Sequence, residues 1–302
     1  MMDRSPSASE KDDLITSREN RWLKRFRAAL RGTGPAEGEP IGVEGPKLVE
    51  DALRSGLEAE ALLICESAEP ALDAILSAAS ASEAGIPRSR ILRTTDRLFA
   101  SVAGTETPQG IAALFHKPDW QFEDVLRGAA DENGVRFGDS ALVIVMAGVQ
   151  DPGNVGTIVR SAEAFGATGA IAARGTADPW SPKALRASAV SALRLPVLRG
   201  IAIPVLLAQL KMARVKIIAT IGRGVVGSRQ DVGSQEAQAY PNLREPSAIF
   251  VGSEGAGLPA EVLHSADGTI SIPMHPSVES LNAGVAASIA LFEAARQRSG
   301  TP

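Results

Sequence analysis

The chain has 302 residues, and is 44 % hydrophobic and 22 % charged, a globular composition long enough for about two domains. Its net charge of −4 argues mildly against nucleic acid as a partner, and no apolar run reaches membrane-spanning length. A single cysteine excludes an intrachain disulfide and a cysteine metal site, and His116, His264 and His275 have no metal-ligand spacing.

In chain order, residues 1–16 read as a disordered tail. The first thirteen are polar and lack the apolar core of a signal peptide, so the expected compartment is the cytoplasm. Residues 18–30 read as a helix with Trp22, Phe26 and Leu30 on one face. Residues 18–31 carry six basic residues against one acid. Two further basic runs hold Arg88, Arg90, Arg93 and Arg97, then Lys183, Arg186, Arg194 and Arg199. Any one run reads as a solvated helix face; three in an acidic chain make an electrostatic footprint for RNA an equal alternative. After a Gly/Pro/Glu linker come a helix at 45–56, a strand at 61–65, a helix at 70–82, a strand at 90–92, a helix at 96–102 and a strand at 110–116. That alternation makes a compact α/β unit over residues 17–117. Cys65, inside the apolar run ALLIC, reads as a small core hydrophobe and not a nucleophile.

Residues 118–140, with the turn DENG at 131–134, read as linker plus a short helix. From 141 to 302 strands are expected at 141–149, 168–172, 194–198, 215–221, 247–252 and 269–272. Helices are expected at 155–165, 182–192, 203–212 and 281–297, with a long loop at 223–245. The fold class is α/β, with a mostly parallel sheet covered by helices on both faces.

Three stretches of this second part could carry chemistry. In 143–167, VIVMAGVQDPGNVGTIVRSAEAFGA, a strand turns through Asp-Pro-Gly into a helix. Asn154 there is a helix N-cap or a catalytic group. Val155, Ile158, Val159, Ala162 and Phe165 form the apolar face of the helix, and Arg160 falls off it. In 248–259, AIFVGSEGAGLP, a strand runs into Gly252, Gly255 and Gly257. These read as turn residues or as a phosphate cradle, though no Lys-Ser/Thr follows and the spacing is GxxGxG. In 270–296 a short strand ends at Pro273, a polar loop follows, and a helix starts at Leu281 with Ser280 as its N-cap. That helix carries Leu281, Val285, Ile289 and Phe292 near one face and small residues elsewhere, so it reads as buried on several sides.

The segments NVGTIVRSAEAFG (154–166), GSEGAGL (252–258) and IPMHPSVESLN (272–282) resemble, in order, the three motifs of the SpoU/TrmH-type RNA 2′-O-ribose methyltransferases of the SPOUT superfamily. The likeness spans residues 141–297. More weakly, GVEG (42–45) and TETPQGI (105–111) resemble the N-terminal RNA-substrate-binding domain found beside many such enzymes. The resemblance implies a C-terminal trefoil knot, a homodimer, RNA (ribosomal or transfer) as partner and S-adenosyl-L-methionine as cofactor. It implies cofactor contacts by Gly252, Ile272 and Leu281, and catalytic places for Asn154, Arg160, Glu254, Ser280 and Asn282; it implies no metal. Without it, Glu254 reads equally as a solvated loop residue, and Ser280 and Asn282 as caps. Family descriptions make the arginine a base. A guanidinium is almost always protonated, so stabilising a developing alkoxide is the preferred role for Arg160.

Three departures stand against the motifs. Pro276 removes an N–H from the last loop, Ala189-Val190-Ser191 lacks the usual glycine, and Gly284 in a first helical turn costs up to ~1 kcal/mol relative to alanine. The altered loop around Pro276 motivates an alternative: an RNA-binding protein of the same fold with weak or lost turnover. A dinucleotide-binding dehydrogenase has only the α/β alternation and the glycines in its favour.

Overall fold

The computed structural model describes residues 14–32, 34–80, 86, 90–128, 140–222 and 241–299. The tail at 1–13, Arg88, the turn at 131–134 and the loop at 223–240 lie outside the described residues. The chain divides into two units: residues 1–118 with 180–182, and residues 119–179 with 183–302.

The first unit is a five-stranded sheet ordered β1-β4-β3-β5-β2, formed by β1 (Leu14–Ile15), β2 (Ile41–Glu44), β3 (Ala59–Cys65), β4 (Ile91–Thr94) and β5 (Ile111–Phe115). Its helices are α1 (Arg21–Arg31), α2 (Pro46–Arg54), α3 (Leu72–Ser80) and α4 (Asp96–Val102). Two strands correct the reading from sequence. Leu14 and Ile15, expected within a disordered tail, pair in parallel with β4, and Ile15 is buried with its carbonyl accepting from Thr94 Oγ1 at 3.1 Å. Residues 41–44, expected as linker, form β2 antiparallel to β5. Gly42 belongs there because α1 lies directly on its backbone: a Cβ would come within 2.8 Å of the Ala29 carbonyl carbon. Glu44 is 7 % exposed, and its carboxylate accepts from Gly104 N at 2.7 Å and from the Thr105 hydroxyl. The face of α1 is also turned from the expected one: Leu23, Phe26 and Leu30 are buried, while Trp22 is half-buried. Cys65 is buried as expected; burial, and then the Asp96 carboxylate, push its thiol above the usual range, which suits a core residue and not a nucleophile.

The second unit holds six strands: β6 (Leu142–Ala147), β7 (Gly169–Ala173), β8 (Val197–Ile201), β9 (Lys216–Ile221), β10 (Ser247–Gly252) and β11 (Gly268–Ser271). All pair in parallel, in the order β11-β9-β10-β6-β7-β8. Central parallel strands are covered on both faces and so read as unbroken apolar runs, and every residue of β6 and β7 is buried. Val143, Val145 and Ala147 point to one face, where they share a core with Val125 of α5 (Phe122–Arg127), Leu206 and Leu210 of α9 (Ile203–Met212) and Val262 of α10 (Ala260–Ser265). The alternate residues face α6 (Pro152–Ala164) and α11 (Ala283–Arg298), which pack on each other.

The helix expected over 182–192 is broken into α7 (Pro182–Ala187) and α8 (Ser191–Arg194). Between them Ala189 (φ 47°) and Val190 (φ 58°) occupy the left-handed region, where a glycine would sit without strain. Arg194 falls in α8, so β8 begins at Val197 and not at 194. The six-residue α10 was not expected, because so short a helix shows no periodicity.

Gly156 sits where α6 crosses α7. A Cβ there would meet Ala184 O at 2.4 Å and Ala187 Cβ at 2.6 Å, both on the neighbouring helix. Gly156→Val therefore destabilises the protein by roughly 1–3 kcal/mol, as overpacking typically does. The midpoint of urea unfolding reads this; an unchanged midpoint would mean that the two helices separate freely.

Candidate active site

Asp-Pro-Gly sets the start of α6. Asp151 is the N-cap, its Oδ1 accepting from Gly153 N at 3.0 Å, and Pro152 takes the first helical position, where no N–H is needed. This answers the choice left open for Asn154. It is not the cap, and its side chain is turned to another use: Nδ2 donates to Glu254 Oε1 at 2.5 Å.

Glu254 lies in a tight turn after β10. Ser253 and Gly257 bond each other across it, N to O at 3.2 and 3.0 Å, and Gly257 holds φ +68°. Gly252 has a different reason to be glycine. A Cβ on it would meet the Gly257 carbonyl at 2.3 Å, so only glycine lets the turn fold back over the strand end. Gly255 has open space around it.

The N-cap of α11 is Asn282, not Ser280, and the helix begins at Ala283. Asn282 Oδ1 accepts from Gly284 N (2.9 Å) and Val285 N (3.3 Å). Its Nδ2 donates to Asn154 Oδ1 (2.9 Å) and Glu254 Oε1 (3.2 Å), and the Ala283 amide reaches the same oxygen at 3.4 Å. Asn154, Glu254 and Asn282 thus form one polar cluster.

Beside it lies a cavity of about 300 Å³ at the carboxyl ends of β9, β10 and β11. Gly252, Glu254, Ile272, Ser280 and Leu281 line it, so five of the expected site residues share one recess. Crevices at the carboxyl ends of parallel strands are the usual ligand sites of such sheets. That rule would also have found Thr220 and Ile221 at the end of β9, which line the cavity and were not singled out. Nor were the Ala283 amide and the Asp151–Lys183 pair. Arg160 stands apart from the cluster. It is exposed on α6, six residues or ~9 Å along the axis from Asn154, with no partner among the described residues.

Two of the departures have structural accounts. His275 O accepts from Val278 N at 3.0 Å, so residues 275–278 form a β-turn with Pro276 at its second position. Proline favours that place, and the missing N–H is one the turn does not use. Gly284 is buried against α6, where a Cβ would meet Thr157 Cγ2 at 3.1 Å. The motive for a reading with lost turnover is thereby removed.

Asp151 also pairs with Lys183 Nζ at 2.5 Å. The Lys183 ammonium, and then the Gly153 amide, hold its carboxyl below the usual range. A depressed folded value means that this contribution to stability is present above the ordinary carboxylate pKa and is lost as pH falls through the folded one. Lys183→Met removes the larger cause, so the Asp151 titration moves up towards the ordinary value. A carboxyl ¹³C NMR titration measures it, and coincident midpoints in the two proteins would refute the coupling.

Comparison with known proteins agrees with this geometry. The SpoU rRNA Methylase family matches residues 141–292, and the MRM3-like substrate binding domain matches residues 38–113. The chain is 32 % identical over 281 residues to the 23S rRNA (guanosine(2553)-2′-O)-methyltransferase RlmP of Bacillus subtilis, covering 92 % of this chain and 97 % of that protein. A crystal structure of an RNA 2′-O ribose methyltransferase superposes with a TM-score of 0.69 at 29 % identity, over 95 % of this chain and 99 % of that one. An AdoMet-bound rRNA methyltransferase from Sinorhizobium meliloti does so with a TM-score of 0.68 at 26 % identity, over 94 % and 97 %. With its three motifs gathered on one sheet end and most of its length matched by such relatives, the chain belongs to the SpoU rRNA methylase family.

Proposed function

We propose that this protein transfers a methyl group from S-adenosyl-L-methionine to a ribose 2′-OH of structured RNA, ribosomal or transfer. The observation that carries this reading is the cavity at the ends of β9–β11, bordered by the Asn154–Glu254–Asn282 cluster.

The cavity suits the cofactor. Its size falls at the lower end of the usual range for small-molecule sites. Leu258, Ile270, Ala283 and Ala286 give it apolar walls fit for a flat adenine. The backbone N–H groups of Ile272 and Leu281 have no partner among the described residues, and so are open to polar edges of a ligand. S-adenosylmethionine would bring a sulfonium methyl that is already activated, so the protein's share of the work is placement and care of a weak hydroxyl nucleophile.

That care falls to the cluster. Three N–H donors occupy Glu254 Oε1, which fixes the carboxylate and leaves Oε2 as an acceptor for a hydroxyl proton. Ser280 Oγ lines the same recess and can hydrogen-bond the ribose. The Arg160 guanidinium stabilises negative charge on the ribose oxygen or the adjoining phosphate. Residues 17–117 position the RNA, and residues 141–302, with α5 packed into their core, carry the chemistry.

The large apolar residues of α11 suggest the assembly. Expected to be inside, Val285 and Phe292 are 45 % and 55 % exposed, while Ala287, Ala290, Leu291 and Ala294 are buried. With Thr157, Phe165 and Ile289 they form an apolar groove between α6 and α11. An exposed apolar patch of this kind marks an interaction site. We read it as the surface of a homodimer, with the C-terminal segment threaded as a trefoil knot. No helix among the described residues is long and apolar enough to cross a membrane, and we place the activity in the cytoplasm.

Incubation with methyl-labelled S-adenosylmethionine and total RNA tests the reaction. A 2′-O-methyl blocks alkaline cleavage at its own position, so the label should survive in alkali-stable dinucleotides. Label released wholly in mononucleotides would point to base methylation and sink the reading. Arg160→Ala should lower the rate about 10²–10³-fold, the cost of losing one group that stabilises an oxyanion. Cofactor affinity by calorimetry should stay unchanged, and wild-type turnover would remove Arg160 from the chemistry.

Phe292→Asp puts a charge into the groove and should convert the dimer to monomer in sedimentation velocity. An unchanged dimer would show that the subunits meet elsewhere.

A further inference from the structure

The basic residues of α1 do not form one solvated face. Lys24 Nζ pairs with Glu19 at 2.6 Å. Arg27 donates to Ser101 O (3.5 Å) and Arg31 to Ala103 O (2.7 Å) and Ala100 O (3.3 Å), so both dock α1 on the carbonyl end of α4. Arg25 grips Glu60 with both terminal nitrogens, Nη2 at 2.7 Å from Oε2. Arg21 has no ion pair or hydrogen bond among the described residues. Its guanidinium lies over the Trp22 ring, 5.6 Å from the centroid, and that of Arg25 lies at 5.1 Å.

These side chains line a second cavity, of about 380 Å³, made by Arg21, Trp22, Arg25, Glu60 and Arg90. Arg90 is tied to it by a bond from Nη1 to Glu60 O at 3.3 Å. Three guanidinium groups face one carboxylate here, in a chain whose net charge is −4. Trp22 is not consumed by the core, which takes Leu23, Phe26 and Leu30 from the same helix. α1 also precedes residues 38–113, the span matched by the substrate-binding domain, so that match gives it no role.

We propose that this recess is a nucleotide subsite: an unpaired base of the RNA stacks on Trp22, and its phosphate is held by Arg21 and Arg90. The nature of the ligand rests on the methyltransferase reading above. An aromatic face flanked by cations is how proteins hold single-stranded nucleic acid without reading its sequence, and every base has a face to stack. A duplex keeps those faces inside, so the site selects loops, bulges or ends. Arg25 is fixed by Glu60 and serves as the floor. Arg21, free of other ties, moves from ring to phosphate when a base enters.

Fluorescence anisotropy with a short single-stranded oligoadenylate, and with a fully paired RNA hairpin of the same length, tests this on the full chain. The single strand should bind more tightly. Trp22→Ala should weaken it roughly tenfold, and Trp22→Phe, which keeps a π face, clearly less. Arg21→Ala should lower the slope of log K against log salt by about one. Thermal midpoint and S-adenosylmethionine affinity should not move in any variant, which separates a lost subsite from a lost fold. Wild-type affinity in both Trp22→Ala and Arg21→Ala, or preference for the hairpin, would overturn the proposal. Methyl transfer is scored separately. Normal transfer with unchanged Kd and KM in Trp22→Ala removes the subsite and keeps the activity. No transfer by the wild type, with single-strand binding still lost in Trp22→Ala, removes the activity and keeps the subsite.

Discussion

One carboxylate oxygen holds the second unit's site together. Glu254 Oε1 accepts from Asn154 in the first turn of α6, and from the Asn282 side chain and the adjoining Ala283 amide at the start of α11. Hydrogen bonds to a charged acceptor are about twice as strong as neutral ones. All three are satisfied only when the segments around residues 154, 254 and 282, far apart in sequence, reach one point. Asn282 tightens the arrangement further, because its Oδ1 caps α11 while its Nδ2 serves the cluster. The start of the helix and the geometry of the site therefore cannot vary independently. Such coupling is what keeps a site built on loops within the tolerance that positioning chemistry demands.

The node can form only because backbones come unusually close around it. Gly252 lets its turn fold over the strand, Gly156 lets α6 meet α7, and Gly284 lets α11 begin against Thr157. A Ser161–Ser288 hydroxyl pair at 2.7 Å marks the same close crossing of α6 and α11. Small residues turned inwards have a consequence on the opposite face of α11. Val285 and Phe292 are left outside, where Phe292 meets Phe165 edge to face at 5.8 Å. Tight internal packing and an exposed apolar groove are thus two sides of one helix. The first serves the site and the second offers a surface for assembly.

Much of this was legible in the sequence, because it lies in local patterns. The strand runs of the second unit, the three loop motifs and the gathering of Gly252, Ile272, Ser280 and Leu281 follow from periodicity, turn residues and resemblance. What was not legible depends on orientation or on partners far along the chain. A residue before a helix can be named a possible cap, but Asp151 and Asn282 displaced Asn154 and Ser280 only because competing bonds settled elsewhere. A helix with alanine on one side and Val285, Ile289 and Phe292 on the other reads by size as buried on the second side. Here close packing inverted that order. Residues 41–44 carry a glycine and follow Pro40, and so looked like linker until α1 was seen to need the space that Gly42 leaves.

Charge was the least readable property, and the reason is chemical. A guanidinium clamps carbonyl oxygens as readily as it binds phosphate. Arg298 shows the first use in full, donating to the carbonyls of Ser140, Ala141, Leu243 and Glu245 and pinning the end of α11 to two loops; burial pushes its pKa down. Arg27 and Arg31 do the same for α4, and Arg194 is spent on Glu163. A count of basic residues in a run therefore overstates what is offered to a polyanion. The net charge of −4 misleads in the opposite direction, since acids elsewhere on the surface are screened beyond about a Debye length. What remains to meet RNA is the subset that the fold leaves unspent, to which, among the described residues, Arg21 on the first unit and Arg160 on the second belong. An acidic protein can hold RNA with few cations if they are well placed, as Arg21 is over the aromatic face of Trp22, where the attraction of a cation and the stacking of a base can act at one point.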